Sequence, residues 1–348
     1  EAENLRGKIL QTIDDAVWGV PLIVLIMATG IYLTIRLKGI QIRHLPKALK
    51  FMVLNEEGGK GEVSSFGALC TSLSATIGTG NIVGVATAVG VLSGGPGALF
   101  WMWVAALFGM ATKYTEGFLA IKYRTVDSNG HVLGGPFYYI ENGMGAKWKW
   151  LAKIFAFFGA CVGLFGIGTF SQVNGISSAV CNFFDPKKAC TVSILGRPYS
   201  ITIVITGIIL TFFVGLVLIG GLKRISKVAE VVVPFMAILY VTAALLIIIF
   251  NITKVPGAFV EIVQSAFGLR AVSGGIFGAI IVAMQSGIAR GIFSNEAGLG
   301  SAPIAASAAK TEEPVEQGLV SMLGTVIDTL IICTLTGLSI VITGAWDM

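Results

Sequence analysis

Charged residues are scarce in this sequence of 348 residues: Asp, Glu, Lys and Arg make up 12%, about half the share of a soluble globular chain. Hydrophobic residues make up 55%. So few charges exclude a soluble globular protein and indicate an integral membrane protein in contact with lipid. The net charge of +5 then reflects orientation in the membrane, and no nucleic-acid partner is expected.

Histidine is almost absent, and the patterns of common enzymes are missing. His44 and His131 are the only histidines, and both fall in predicted inner loops. No HExxH, GxSxG or P-loop pattern occurs. The five cysteines form no recognisable ligand pattern, although Cys181 and Cys190 flank an outer loop where a disulfide can form. We therefore expect neither an enzyme nor a resident cofactor.

The apolar residues are gathered into segments of about 20, long enough to cross a bilayer as helices. The pattern predicts an all-α protein with eight spans. They run roughly Val17–Ile35, Phe66–Leu92, Gly97–Tyr123, Leu151–Phe184, Ser200–Leu222, Ala229–Phe250, Val272–Ala308 and Leu319–Thr343.

Positive charges set the predicted orientation in a cell (plasma) membrane. With the N-terminus outside, seven of the 24 Lys and Arg residues fall on outer segments and the remainder on inner loops or inner helix ends. Inner loops of membrane proteins carry the excess of positive charge. The sequence therefore predicts a multi-pass protein with its N-terminus outside.

Two of the predicted spans carry interruptions. The second contains Gly78-Thr79-Gly80-Asn81 in its middle, and the seventh contains Gln285-Ser286-Gly287. Irregular backbone at membrane depth is tolerated only where it is buried in protein or lines a cavity. A pair of glycine-interrupted segments indicates the binding site of an inverted-repeat transporter.

Three stretches resemble the alanine/glycine:cation symporter family. They are GGPGALFWMWVAALFG from Gly94 to Gly109, LSATIGTGNIVGVATAV and GIARGIFSNEAGLGSAPIAA. The resemblance implies a leucine-transporter-like inverted-repeat bundle in which the second and seventh spans are the broken first and sixth core helices. It also implies one transmembrane transport domain over residues 1–348. Its parts are an extra N-terminal helix at about 17–35, a first core repeat at about 66–250 and the start of a second at about 272–343. Family members carry about three further C-terminal helices that are missing here, and these would supply half of a usual sodium site.

A broken helix offers both halves of an amino acid zwitterion a partner. The carboxylate is predicted to bind the backbone amides of Thr79, Gly80 and Asn81. The ammonium group and a cation are predicted to bind carbonyl oxygens around 74–77 and 284–286. The candidate substrate ligands are Thr76, Thr79, Gly80, Asn81, Phe165, Thr169, Gln172, Met284, Gln285, Ser286 and Gly287; the candidate sodium ligands are Ser74, Ala75, Ile77 and Gly78.

The fourth span is predicted to close the pocket. Phe165, Thr169 and Gln172 are spaced at i, i+4 and i+7, which places them on one face of a continuous helix. The small residues at the breaks and the aromatic wall favour a small substrate side chain. Each of these residues also has a simpler role: glycine and glutamine in membrane helices often serve packing and interhelical hydrogen bonds.

Asp328 lies near the middle of the eighth span, where burying a carboxylate costs about 2.5–3.5 kcal/mol on insertion scales. It is a candidate cation ligand or proton carrier, and a purely structural hydrogen-bond acceptor is the alternative.

Together these features predict a monomeric secondary symporter that takes up a small neutral amino acid, alanine or glycine, with Na⁺ by alternating access. A proton-coupled transporter or a channel-like membrane protein is the alternative.

Overall fold

The computed structural model describes residues 19–54, 59, 61–91, 93–166, 168–187, 190–194, 196–268 and 275–347, together with residues 7, 8 and 12. The predicted ends of three spans, at residues 17, 92 and 272, lie outside this part of the chain. Most of the described chain is helical, as the apolar runs predict.

The first half of the chain forms a bundle of helices with one small hairpin. Its helices are α1 (Val20–Arg36), α2 (Ile40–Arg43), α3 (Leu45–Val53), α4 (Ser65–Thr76), a π-helix (Gly80–Gly84), α5 (Val85–Val89), α6 (Gly97–Lys122), α7 (Pro136–Met144), α8 (Lys149–Phe165) and α9 (Thr169–Phe184). Strands β1 (Thr125–Val126) and β2 (Val132–Leu133) pair antiparallel, with Thr125 opposite Leu133.

The second half begins with another antiparallel hairpin and continues as helices. Strands β3 (Thr191–Ile194) and β4 (Arg197–Ser200) pair with Thr191 opposite Ser200. The helices are α10 (Ile201–Ile219), α11 (Gly221–Phe250), α12 (Val255–Ala266), α13 (Gly275–Asn295), α14 (Ala302–Ala306), α15 (Pro314–Thr325), a second π-helix (Val326–Cys333) and α16 (Thr334–Thr343). Single 3₁₀ turns lie at Ala146–Trp148, Ile252–Lys254 and Ala345–Asp347.

Five described helical segments are long and apolar enough to cross a membrane. They are Ala146–Phe184, which combines α8 and α9 and runs over residue 167 outside the described chain, and Ile201–Ile219, Gly221–Phe250, Phe277–Asn295 and Pro314–Thr343. The pair Ser65–Thr76 and Gly80–Val89, bent by 56° at a short break, makes a sixth if it is one span. The remaining two predicted segments coincide with α1, which is apolar but shorter, and α6.

The centre of the bundle is α6, which contacts α1, α12, α13, α14 and α15. At 26 residues it is about 39 Å long. Its small residues allow these close contacts: Ala98, Ala105, Ala106 and Ala111 are all buried. The indole N–H of Trp103 donates to Thr334 Oγ1 at 2.8 Å, which ties α6 to α16. Close packing of small residues is what helix association in lipid requires.

The predicted interruption at Gln285-Ser286-Gly287 is wrong, because α13 is continuous from Gly275 to Asn295. A Cβ at Gly287 would overlap the backbone carbonyl of Ala98, so this glycine provides close packing against α6. The real interruption lies about ten residues later, between α13 and α14, where Glu296, Gly298 and Gly300 have φ of 54°, 88° and 79°.

The fourth predicted span is also not one continuous helix. Helix α8 ends at Phe165, and Gly166 and Gly168 have φ of 60° and 88° before α9 begins at Thr169. The helical spacing that placed Phe165, Thr169 and Gln172 on one face therefore does not apply, and this prediction is wrong. Phe165 is 67% exposed, and Thr169 is exposed as well.

Candidate functional site

The break between α4 and the first π-helix exposes backbone groups that side chains then satisfy. Helix α4 ends at Thr76 with an extended Ile77. The Gly78 amide donates to Asn81 Oδ1 at 2.9 Å, and the Thr79 amide donates to Gln172 Oε1 at 3.0 Å. In a continuous helix these two amides would donate to the carbonyls of residues 74 and 75. Those two carbonyl oxygens are thereby released from helical hydrogen bonding.

Gln172 is the residue of α9 that reaches the break. Its Oε1 accepts from the Thr79 amide and from Thr79 Oγ1, at 3.1 Å for the hydroxyl. A Cβ at Gly78 would lie 2.5–2.8 Å from the side-chain amide atoms of Gln172. Only glycine at position 78 therefore allows this approach. The structure brings together the predicted residues of the second span and Gln172, although it separates Gln172 from Phe165.

A cluster of buried polar side chains lies beside the break. Asp328 is fully buried, and its carboxylate accepts from Asn81 Nδ2 at 2.7 Å, from Ser294 Oγ at 2.8 Å and from Thr329 Oγ1 at 2.9 Å. Asn81 Nδ2 also lies 3.1 Å from Ser294 Oγ and 3.4 Å from the thiol of Cys333. The cluster places carboxylate, hydroxyl and amide oxygens within one hydrogen-bonded group at the middle of the bundle.

Asn81 and Asp328 both lie on π-helical segments, and these two segments contact each other. A π-helix forms where one residue is accommodated in excess of regular helical packing, and such segments frequently mark functional sites. The widened turn turns each polar side chain toward the partner segment. The backbone irregularity of both spans is thus concentrated where the polar side chains meet.

Asn295, the last residue of α13, links this cluster to the second interruption. Its Nδ2 donates to Thr329 Oγ1 at 3.0 Å, and its Oδ1 accepts from the Ala297 amide at 2.9 Å. From α6, Glu116 Oε1 accepts from the Gly300 amide at 3.2 Å. The irregular segment 296–301 is therefore fixed by side chains from two helices.

Arg290 is a half-buried cation that approaches the break from α13. Its Nη2 donates to the Gly80 carbonyl at 3.0 Å, and its guanidinium lies over the ring of Phe293. The guanidinium also occupies the space in which a Cβ of Gly84 would stand. The break is therefore close to one positive and one negative side chain, both largely out of solvent.

The remaining predicted ligands lie elsewhere. Met284 packs with the apolar cluster of Ala105 and Ile288, and Ser286 faces Gly94. Arg290 and Ser294 are the residues of α13 that hydrogen-bond at the break, and the assignment of residues 284–287 to the site stays a prediction. Thr76 is buried, with its hydroxyl directed at its own helix, and Ser74 hydrogen-bonds the Thr71 carbonyl.

Arg290, Ser294 and Asn295 are missing from the sequence-based set. An arginine inside a span as apolar as α13 is itself a signal, because ionisable residues at membrane depth are costly and commonly functional. Ser294 and Asn295 carry no such signal on their own. Their spacing of four and five residues from Arg290 becomes informative only when the interruption is placed after Asn295.

Within the described residues, no group of three or more His, Cys, Asp or Glu side chains is arranged to hold a metal ion. The Asp328 cluster contains carboxylate, hydroxyl and amide oxygens, the type of ligand that hard cations bind. Several apolar spans, a bent helix pair and a polar cluster buried between them define a multi-pass α-helical membrane transport protein.

The chain belongs to the sodium:alanine symporter family, whose sequence pattern it matches over residues 3–348. It is 49% identical to the sodium/alanine symporter AgcS of Methanococcus maripaludis over 97% of this chain and 71% of that protein. It is 41% identical to the probable sodium/glutamine symporter GlnT of Bacillus subtilis, over 99% of this chain and 67% of that protein. It is 38% identical to the putative sodium/proton-dependent alanine carrier YrbD of Bacillus subtilis, over 97% of this chain and 64% of that protein.

Proposed function

We propose that the protein is a secondary symporter that couples the uptake of alanine or glycine to Na⁺. The observation that carries this proposal is the meeting of the α4 break with the buried Asp328 cluster. The break supplies backbone donors and released carbonyls for a zwitterion, and the cluster supplies oxygen atoms for a cation. Membership of the family and the name of the relative AgcS support the same substrate and ion.

The substrate carboxylate is proposed to bind at Thr79, where the amide and the hydroxyl already converge on one oxygen atom, Gln172 Oε1. The ammonium group then lies toward the carbonyls of residues 74 and 75. Glycine at position 78 and the adjacent Gln172 leave little volume for a substrate side chain. This favours glycine and alanine over larger amino acids, including the glutamine named for the relative GlnT.

The cation is proposed to bind at Asp328, with Ser294 and Thr329 as hydroxyl ligands. Rotation of the two hydroxyl hydrogens would direct their lone pairs at an ion, and the carboxylate would supply its counter-charge. Proton coupling is the second candidate, because a fully buried carboxylate in a span is also what a proton carrier requires and one relative is named for both ions.

We further propose a leucine-transporter-like inverted repeat, alternating access, a monomer in the cell membrane and an N-terminus outside. The bend of 56° between Ser65–Thr76 and Gly80–Val89 supports the broken first core helix. The break after Asn295 supports a broken helix in the corresponding later span.

The test is uptake of labelled alanine and glycine into liposomes that contain the purified full-length protein, with Na⁺ and pH gradients imposed separately. We expect uptake with an inward Na⁺ gradient at constant pH. Uptake driven by the pH gradient alone would favour proton coupling, and no uptake under either gradient would refute symport.

A further inference from the structure

A cavity of about 520 Å³ lies at the end of the bundle that carries the β1–β2 hairpin and α14. This volume is within the range of roughly 300–1,000 Å³ that small-molecule sites occupy. The cavity extends along α4 past Thr71 and Ser72 to Ala75, which is the next-to-last residue of that helix. It therefore reaches the end of α4 beside the break.

Glu296 is the single charged side chain among the residues that line this cavity. Most of the wall is apolar, including Leu133, Phe137, Leu222 and Ile304. Apolar walls of low dielectric strengthen the field of a charge and raise the local concentration of counter-ions. Lys113 and Glu116 of α6 lie close enough to interact electrostatically with Glu296, and their charges are opposite in sign. The Glu296 carboxylate at the cavity wall therefore attracts cations and repels anions.

The backbone holds Glu296 at the wall of the cavity. Its amide completes the last turn of α13 by donating to the Ile292 carbonyl at 2.8 Å, and its φ of 54° turns the chain sharply out of the helix. Its carboxylate accepts from the hydroxyl of Ser301, which also lines the cavity. The Glu116 contact with the Gly300 amide fixes the same segment from α6.

We propose that this cavity is a cation-selective vestibule between the helix break and the inner solution, with the Glu296 carboxylate as its binding group. The ligand is a small positive group, either Na⁺ or the ammonium group of an amino acid. The role of the vestibule in release rests on the proposed symport. The charge selectivity of the vestibule does not depend on the proposed symport.

Charge selectivity is tested by thiol modification, which does not require transport. Ala305, which lines the cavity, is replaced by cysteine in protein that carries Cys161→Ser and Cys190→Ser. Positively and negatively charged methanethiosulfonate reagents of similar size are then compared. For each site we take the ratio of the cationic to the anionic reaction rate. We expect this ratio to be about tenfold higher at position 305 than at a freely exposed site.

The controls separate Glu296 from other negative charge. Glu296→Gln should abolish the preference, and Glu296→Asp should retain it, which also shows that the segment tolerates substitution. Glu312→Gln removes an exposed carboxylate outside the cavity lining and should leave the preference intact. Ala146→Cys places a thiol on the exposed surface. There the ratio of the cationic to the anionic reaction rate should be the same with and without Glu296→Gln. An unchanged ratio at position 305 in Glu296→Gln would overturn the proposal.

Protection experiments distinguish the two ligands. NaCl is compared with choline chloride at equal ionic strength, and alanine is added separately. Slower modification of Ala305→Cys with Na⁺ identifies the ion, and slower modification with alanine identifies the ammonium group. Protection by neither would overturn Glu296 as a binding group. If alanine uptake fails but the charge preference is present, symport is refuted and the vestibule is supported. If alanine uptake is normal but the charge preference is absent, the vestibule is refuted and symport is supported.

Discussion

Replacing Asp328 by Asn removes one negative charge at the proposed cation site with almost no change in shape. The carboxylate accepts three side-chain hydrogen bonds, from Asn81, Ser294 and Thr329. Two of these donors are hydroxyls that rotate, so they can accept from the new amide group instead. We therefore expect Asp328→Asn to fold, with a loss of roughly 1 kcal/mol for each charge-assisted hydrogen bond that becomes neutral.

The effect on cation binding is expected to be larger. Two unit charges 4 Å apart attract by about 4 kcal/mol at an effective dielectric constant of 20, which corresponds to about a thousandfold in affinity. Asn retains a carbonyl oxygen as a neutral ligand, so this value is an upper limit. We expect Na⁺ to bind about 100- to 1,000-fold more weakly.

The assay is Na⁺-dependent alanine binding to purified protein by calorimetry, between about pH 5.5 and 8.5. Glu316→Gln is the matched control: Glu316 is a buried carboxylate in the same span that accepts from Thr311 Oγ1 at 2.9 Å, away from the Asp328 cluster. This variant should keep wild-type Na⁺ affinity. Unchanged Na⁺ affinity of Asp328→Asn at every pH would make Asp328 a structural acceptor, and loss of pH dependence alone would make it a proton carrier.

Three further predictions concern the break and the orientation. Asn81→Ala and Gln172→Ala should abolish alanine binding in folded protein, because each removes a side chain that organises the break; wild-type affinity in both by calorimetry would mean that they only pack. Leucine should not compete with alanine uptake, because Gln172 fills the space beside Gly78; efficient competition would refute this size limit. Cys190, which is exposed, should react with an impermeant thiol reagent in right-side-out vesicles. If Cys190 does not react, the predicted orientation with the N-terminus outside is wrong.

The sequence indicates where the second span bends, because a local signal identifies the position. Gly78-Thr79-Gly80-Asn81 interrupts an otherwise apolar run, and the backbone donors at this point are satisfied by Asn81 and Gln172. Glycines in a span indicate an interruption only when their backbone leaves the helix. At Ile77 and Gly78, between α4 and the first π-helix, the chain does so.

The same signal fails at Gln285-Ser286-Gly287, because glycine also serves close packing. Gly287 lies against Ala98 of α6, a contact between helices nearly two hundred residues apart in the sequence that no local pattern reveals. The interruption after Asn295 depends on left-handed backbone at Glu296, which a glutamate rarely adopts. The fourth span fails similarly, since Gly166 and Gly168 break a spacing that would be regular in a continuous helix.

The contacts at Thr79 explain how substrate binding can be favourable although its amide and hydroxyl already have an acceptor. Gln172 Oε1 accepts from the Thr79 amide and hydroxyl, so a substrate carboxylate that binds there must displace a neutral amide oxygen. Hydrogen bonds to an ionised acceptor are about twice as strong as those between neutral groups. The exchange therefore favours the carboxylate, and the displaced Gln172 amide becomes free to donate to it. In this scheme Gln172 holds the break in order until substrate arrives and then contacts the substrate. Gln172→Glu should consequently abolish alanine binding as well, because a second carboxylate would remain at the same donors.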